Sequence, residues 1–392
     1  MTEKKTPLKW KFKTGDSVSS SPAVSDSVVY FGSWDNHLYA LDTKTGEEKW
    51  KFETGGKILS SPSVSGGIVY FGSGRYSWNT YLYALDIKTG EENWKFETGG
   101  EVYSPAVSDG VVYFGSYDKH LYAVDAKTGK EIWKFLTGSW GMSSPSVADG
   151  VAYFGSHDHH LYALDIKTGK QKWKFETGDN VDSSPAVADG VVYFGSRDNN
   201  LYAIDIKTGA EKWKFRTGGW VFSPSSVSEG VLYVGSGDRY IYALNTKTGK
   251  KKWNFEIGDY VKSLPSVSEG VVYFGSNDNH LHALDIKTGE EKWKFETGGE
   301  ILSSPSVSGG IVYFGSHDNH LYAVNIVLAD KFEPAKKKAE QKRQQEEKQK
   351  MEKEKSEEQK KIEQKEFESW EKTPITHKIN LKDGTSITIE TR

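Results

Sequence analysis

Residues 183–218 read SSPAVADG VVYFGSRDNN LYAIDIKTGA EKWKFRTG. Four short apolar segments are separated there by DG, GSxD and KTG turn signals, the punctuation of four consecutive β-strands. In Val191–Phe194 and Leu201–Ile204 the apolar residues run on without alternating. A strand of that kind is covered on both faces, whereas a helix would need apolar spacing of three to four.

The same unit recurs along the chain. Tryptophans stand at Trp10, Trp50, Trp94, Trp133, Trp173, Trp213, Trp253 and Trp293, spaced by 40, 44, 39, 40, 40, 40 and 40 residues. Four strands in roughly forty residues predicts one propeller blade. Eight innermost strands are expected, beginning near Val18, Ile58, Val102, Gly141, Val181, Val221, Val261 and Ile301. The chain starts with a lone WKFKTG segment from Trp10, and its last unit stops at Asn325 without one. Pairing the two ends completes the eighth blade, so the fold class predicted is all-β, an eight-bladed β-propeller over residues 8–328 closed by an N-terminal strand.

Composition bounds the function. The 392 residues include 40 Gly, 21 Tyr, 18 Phe and 13 Trp but no Cys, which excludes disulfides, thiolate metal sites and thiol nucleophiles. A net charge of -3 supplies no basic field, so no nucleic-acid partner is expected. The basic start is followed by no apolar core, and no stretch reaches membrane-spanning length. Membrane insertion is therefore not expected, and the compartment expected is cytoplasmic.

The segment ALDTKTGEEKW from Ala40 to Trp50 resembles the tryptophan-docking motif AxDxxTGxxxW of PQQ-like repeat propellers, with near copies starting at Ala84, Ala123, Ala163, Ala203, Ala243 and Ala283. The resemblance covers residues 8 to about 328 and departs at Asn245 and in the truncated copy after Ala323. That family includes quinoprotein dehydrogenases and BamB-like outer-membrane assembly scaffolds. The resemblance implies that the eight tryptophans lock neighbouring blades, a structural role suited to a large ring with one N–H to satisfy.

Other repeated residues read as structural too. The glycines after Lys-Thr, Gly46 among them, supply a positive φ between third and fourth strands. One proline per innermost strand, such as Pro22, suits an edge that cannot donate. The GSxD aspartates, such as Asp35, cap their own turns.

Function is expected where the copies differ. The second-to-third-strand turns and the blade-to-blade connections emerge on one side of the ring, and those are the varied ones. The candidate partner-binding residues there are Tyr103, Trp140, Met142, Asp182, Trp220, Phe222, Tyr260 and Lys262, joined by Tyr76 and Trp78 of a four-residue insertion in the second blade. Aromatic residues and Met are enriched in recognition surfaces. Two readings stay open: these side chains bind a protein or peptide partner, or they plug the channel of a wide ring. A small-ligand or carbohydrate receptor in the central funnel is the alternative function.

His37, His120, His160, His280 and His320 share one turn position, and blade-related positions lie far apart on a ring. A shared ion would need one loop, and His157-Asp158-His159-His160 is the one candidate. Turn hydrogen bonding accounts for the five copies, so no metal is expected. A PQQ-dependent oxidoreductase ranks third, because the resemblance implies an adjacent cysteine pair and a Glu-Asn-Asp calcium constellation that the sequence lacks. No GxSxG, phosphate-binding loop or HExxH motif is present. The expectation is a non-catalytic scaffold without cofactor.

Beyond the ring, residues 331–372 hold 26 charged residues of 42, with i,i+4 pairs such as Glu346 and Lys350. They predict a solvated helical spacer of up to about 60 Å. Residues 373–392 read as a β-hairpin about a DG turn. The ring is expected to be monomeric, with further contacts made through this C-terminal arm by edge addition.

Overall fold

The computed structural model describes residues 7–330 except 75, 76, 78, 79, 141 and 142, then six positions between 348 and 365, and residues 375–391. The chain divides into two units, residues 1–331 and 332–392.

The first unit holds eight four-stranded antiparallel sheets. Strand β1 (Leu8–Lys13) is followed by blade 1, β2 (Ala23–Ser25), β3 (Val28–Gly32), β4 (His37–Asp42) and β5 (Glu48–Glu53). Blades 2 to 7 are β6–β9 (63–97), β10–β13 (106–136), β14–β17 (146–176), β18–β21 (186–216), β22–β25 (226–256) and β26–β29 (266–296). Blade 8 has the order β1-β32-β31-β30, from β30 (Ser306–Ser308), β31 (Ile311–Ser316), β32 (His320–Asn325) and the N-terminal strand.

The core explains the unalternating apolar runs. It lies in eight clusters, one between each pair of neighbouring blades. Tyr30, Leu38 and Ala40 of blade 1 pack on Ile58, Phe71 and Tyr83 of blade 2. Their sequence neighbours Val29, Phe31, Tyr39 and Leu41 point the other way, onto Tyr313, Leu321 and Ala323 of blade 8. Successive residues of a strand face opposite sides, so a sheet buried on both needs apolar residues at every position. Eight clusters for eight blades also mean that the ring is closed, since an open stack would have seven.

The seam is held at several levels. Lys13 pairs with His320 and Trp10 with Ala323, and the Asn325 amide donates to the Pro7 carbonyl at 2.8 Å. The Trp10 indole N–H donates to the Thr43 carbonyl of blade 1 at 3.1 Å. The same bond recurs between other blades, as from Trp50 to Ile87 at 3.1 Å and from Trp213 to Thr246 at 2.8 Å. Each ring lies flat on the KTG glycine of the next blade. Gly46 has φ +75°, and a Cβ there would stand 2.6 Å from Trp10 Cδ2, so both backbone conformation and close approach require glycine. Trp293 differs, because no KTG turn follows Asn325. Residues 326–330 are helical instead, and the Trp293 indole donates to Asp330 Oδ1 at 2.9 Å.

The innermost strands depart from expectation. Each is three residues long and begins after the proline, at Ala23 rather than near Val18 in blade 1. Pro22 has no N–H, so the ladder can start only beyond it. Val18 is instead a buried anchor packed against the Gly315 backbone. The serines before the prolines tie inner segments together, from Ser304 N–H to Ser21 Oγ at 2.8 Å across the seam, and from Ser21 N–H to Ser61 Oγ at 3.0 Å. The GSxD aspartates reach further than a turn cap. Asp35 Oδ1 accepts the His37 amide at 3.1 Å, while Oδ2 accepts both the Tyr39 hydroxyl and the Gly15 amide at 2.7 Å. Gly15 follows the outer strand of blade 8, so this carboxylate also joins two blades.

In the second unit, β33 (Ile375–Asn380) and β34 (Ser386–Thr391) form an antiparallel hairpin. Its turn is closed by the Leu381 amide on the Thr385 carbonyl at 2.8 Å, with Gly384 at φ +89°. The charged helical spacer expected over 331–372 falls outside the described residues apart from six positions. Among the described residues, no helix is long and apolar enough to cross a membrane.

Candidate partner-binding rim

On one side of the ring, the second-to-third-strand turn of every blade except blade 4 is bonded, among the described residues, through its backbone to the connection that leads into its own blade. The Tyr117 amide donates to the Glu101 carbonyl, Arg197 to Asn180 and His317 to Glu300, each at 2.9 Å. This bond seats the residue between Ser and Asp of the GSxD turn. Its side chain stands between the connection into its own blade and the connection into the next.

Side chains at these positions join into a continuous chain over blades 3 to 6. Tyr103 stacks on Tyr117 with ring centroids 6.3 Å apart, Tyr117 meets Trp140 at 4.9 Å, and Trp140 meets His157 at 6.1 Å. His157 Nε2 and Asp182 Oδ1 share a hydrogen bond, and Arg197 Nε donates to Asp182 Oδ2. The Arg197 guanidinium then lies 5.4 Å from the centre of the Trp220 ring, a cation–π arrangement. Trp140 and Trp220 are 50% and 52% exposed, where an indole in a packed ring would be covered.

Asp182 is the centre of this chain. Burial pushes its carboxyl pKa up, but the hydrogen bonds and charges of His157 and Arg197 outweigh burial and hold it below the usual carboxylate range. The Arg197 guanidinium is held above its ordinary value, first by the bond to Asp182. Asp182 therefore stays ionised and fixes two side chains, each of which supports an exposed tryptophan.

A second arc crosses the seam. Trp34 and His317 lie 5.5 Å apart, Ser19 Oγ is 2.7 Å from His317 Nε2, and Lys57 Nζ sits 4.6 Å over the Trp34 ring. Burial pushes His317 down, so its ring is neutral at neutral pH. Beside the first arc, blades 2 to 5 enclose an open cleft of about 1090 Å³, with Ser77, Thr98, Tyr103, Ser144 and Ser184 on its walls and Glu101, His157, Asp182 and Arg197 among its ionisable members.

The structure thus brings Tyr103, Trp140, Asp182 and Trp220 into one contiguous surface. Lys262 lies over Phe222 at 5.8 Å one connection further on, and Tyr260, 45% exposed, stands on the same rim. Tyr76, Trp78 and Met142 lie outside the described residues. Tyr117, Arg197, Trp34 and His317 are absent from the sequence candidates, and His157 enters there only in the loop weighed, and set aside, as an ion site. All five occupy the GSxD position between Ser and Asp, and its variation from copy to copy was the available signal.

The loop His157-Asp158-His159-His160 does not converge on an ion. His157 turns to Asp182, His160 Nδ1 bonds the Asp158 carbonyl at 2.7 Å, and His159 is exposed at φ +69°. Among the described residues no three His, Asp or Glu side chains could hold one metal ion. Both Asp182 oxygens are engaged by protein donors, Oδ1 by His157 and Oδ2 by Arg197.

A sequence model of the family described as outer membrane protein assembly factor BamB matches residues 6–104, 79–214, 173–264 and 258–331. No curated protein matches the sequence. Among solved structures, the computationally designed Ika8 protein is similar with a TM-score of 0.73 at 18% identity, over 80% of this chain and 98% of that one. BamB from Moraxella catarrhalis gives 0.71 at 18% identity, over 81% and 99%. The quinohemoprotein alcohol dehydrogenase from Comamonas testosteroni gives 0.67 at 18% identity, over 81% and 76%. At such identity these likenesses show the fold alone.

Proposed function

The chain belongs to the family described as outer membrane protein assembly factor BamB, and from that premise we propose that it is a non-catalytic scaffold binding a protein or peptide partner across its varied rim. The observation that carries this reading is the unbroken chain from Tyr103 to Trp220, built where the eight copies differ and leaving two indoles half exposed. Aromatic and arginine side chains of this kind, each held in place by a neighbour, are the anchors that dominate interface energy. A plug would bury its rings fully, whereas Trp140 and Trp220 stay half exposed.

The test is a peptide array probed with the wild-type chain and with a Trp140→Ala/Trp220→Ala variant. Binding by the wild type, about a hundredfold weaker in a variant of unchanged Tm, supports the reading. Equal binding by both chains overturns it, and a variant that fails to fold returns the rings to the role of plug.

The cleft favours a second reading. Its size suits a small ligand, and hydroxyl groups beside aromatic faces suit a carbohydrate. Binding on a glycan array, with none on the peptide array, would favour that ligand.

A further inference from the structure

The eight outer strands serve as controls for one another, because each turns three residues to solvent at alternate positions. In blade 1 these are Lys49, Lys51 and Glu53. The first is lysine in six outer strands and Asn93 in β9, and the last is charged in seven of the eight. An outer strand is a sheet edge with unpaired backbone groups, and charges there keep other strands from pairing with it. Strand β13 (Glu131–Leu136) of blade 3 lacks the device. Its outward residues are Ile132, Lys134 and Leu136, the two aliphatics 48% and 62% exposed. The one charge between them is offset, since Lys134 Nζ lies 3.6 Å from Glu131. Among the described residues, β13 is the only outer strand whose edge is both apolar and neutral.

The hairpin β33–β34 shows the complementary deficiency. Ile379 lies opposite Ile387, and His377 opposite Ile389, so these residues share one face. The three isoleucines are 49%, 50% and 43% exposed. Two strands alone are marginal in water, and a third partner strand is needed for stability. Strand β34 reads Ser-Ile-Thr-Ile-Glu-Thr, four of its six residues β-branched, and is the same length as β13. On the seven other edges its isoleucines would face charges, which would lose water on pairing.

We infer that β13 is a strand-addition site, and that its occupant is β34 of a second copy of this chain. Every copy carries one open edge and one hairpin, so reciprocal exchange closes as a two-fold dimer with two equivalent contacts. The site is separate from the varied rim and does not depend on the function proposed for that rim.

Sedimentation of the full chain over a micromolar range tests it with two variants. Ile132→Lys/Leu136→Glu gives β13 the residues most other blades carry, and Ile387→Thr/Ile389→Thr keeps strand propensity in β34 while removing its apolar face. The wild type is expected to dimerise, and each variant to associate roughly a hundredfold more weakly at unchanged Tm. An equimolar mixture of the two variants, one keeping the hairpin and the other the edge, restores one of the two contacts and is expected to form a heterodimer weaker than the wild-type dimer. A monomeric wild type overturns the inference, including one in which substitution of β13 speeds amide exchange in the hairpin, since the hairpin would then dock within its own chain. Association untouched by the β13 substitutions, or absent from the mixture, overturns it as well.

Discussion

At the scale of single residues, the repeat supplies its own reference states. In six blades a tyrosine hydroxyl donates to the GSxD aspartate, as Tyr39 does to Asp35 at 2.7 Å. Blade 7 has His282 there, buried, with Nε2 at 3.0 Å from Asp278 and Nδ1 at 2.9 Å from Glu291. Burial pushes the imidazole pKa down, but the two carboxylates outweigh it and the net shift is upward. A raised histidine contributes stability that is complete below its unfolded value of about 6.5 and is lost as pH rises through the folded value. Burial pushes the Asp278 carboxyl up, but the hydrogen bonds and charges of His282 and His280 together outweigh it and hold it down, so its contribution fades below about pH 4. The Tm of the wild type relative to His282→Tyr is therefore expected to be highest between about pH 4 and 6.5 and to fall above that window. A difference that stays flat across pH would mean that His282 is neutral. Two glycines permit a second comparison, since Gly190 and Gly209 have φ +74° and +71°, but only Gly209 would bring a Cβ to 2.9 Å from Trp173. Gly190→Ala is expected to cost about 1 kcal/mol of backbone strain. Gly209→Ala should cost at least about 1 kcal/mol more, read as a larger drop in Tm by calorimetry, because it also lifts the indole off its seat.

At the scale of strands and blades, the ring was legible because its signals are local and repeated. The apolar runs, the KTG glycines and the unmatched WKF segment at Trp10 each constrain one sheet, and eight copies of them leave one closure. The inner strand starts were misplaced because apolar character marks Val18 as buried without saying whether it pairs. Backbone pairing starts only past Pro22, and the proline itself was the better marker. The rim was legible in part. Variation between copies marks Trp140 and Trp220, but the bond from His157 to Asp182 joins residues 25 apart on different blades, and no spacing within one repeat encodes a contact between repeats. The seam follows the same logic of pairing. Removing residues 1–13 strips β32 of its partner and blade 1 of the Trp10 bond, so a loss of Tm of roughly 10 °C or more is expected. Amide exchange should then speed up first in blades 8 and 1. Uniform exchange around the shortened ring would mean that the other interfaces hold it without the seam.

At the scale of the molecule, the ring's stability is a sum of near-identical interfaces, so where the sum stops matters more than how long the chain is. Seven tryptophans dock on a backbone carbonyl of the next blade, while Trp293, 1% exposed, docks on the Asp330 side chain. Ile326 and Ala329 enter the same cluster between blades 7 and 8. Residues 326–330 thus take the place that a KTG turn occupies in every other blade. A chain ending at residue 330 is expected to melt within about 2 °C of the full-length protein, because every blade interface is then complete. A chain ending at residue 325 loses the Trp293 acceptor and two buried apolar side chains, and should melt several degrees lower, roughly the effect of 2–3 kcal/mol. Asp330→Ala in the full chain separates the two contributions, since it removes the acceptor and leaves Ile326 and Ala329 packed. If the chain of 325 residues melts with the full-length protein, the tryptophan bond is dispensable at this interface, and burial of the indole alone holds blade 7 to blade 8.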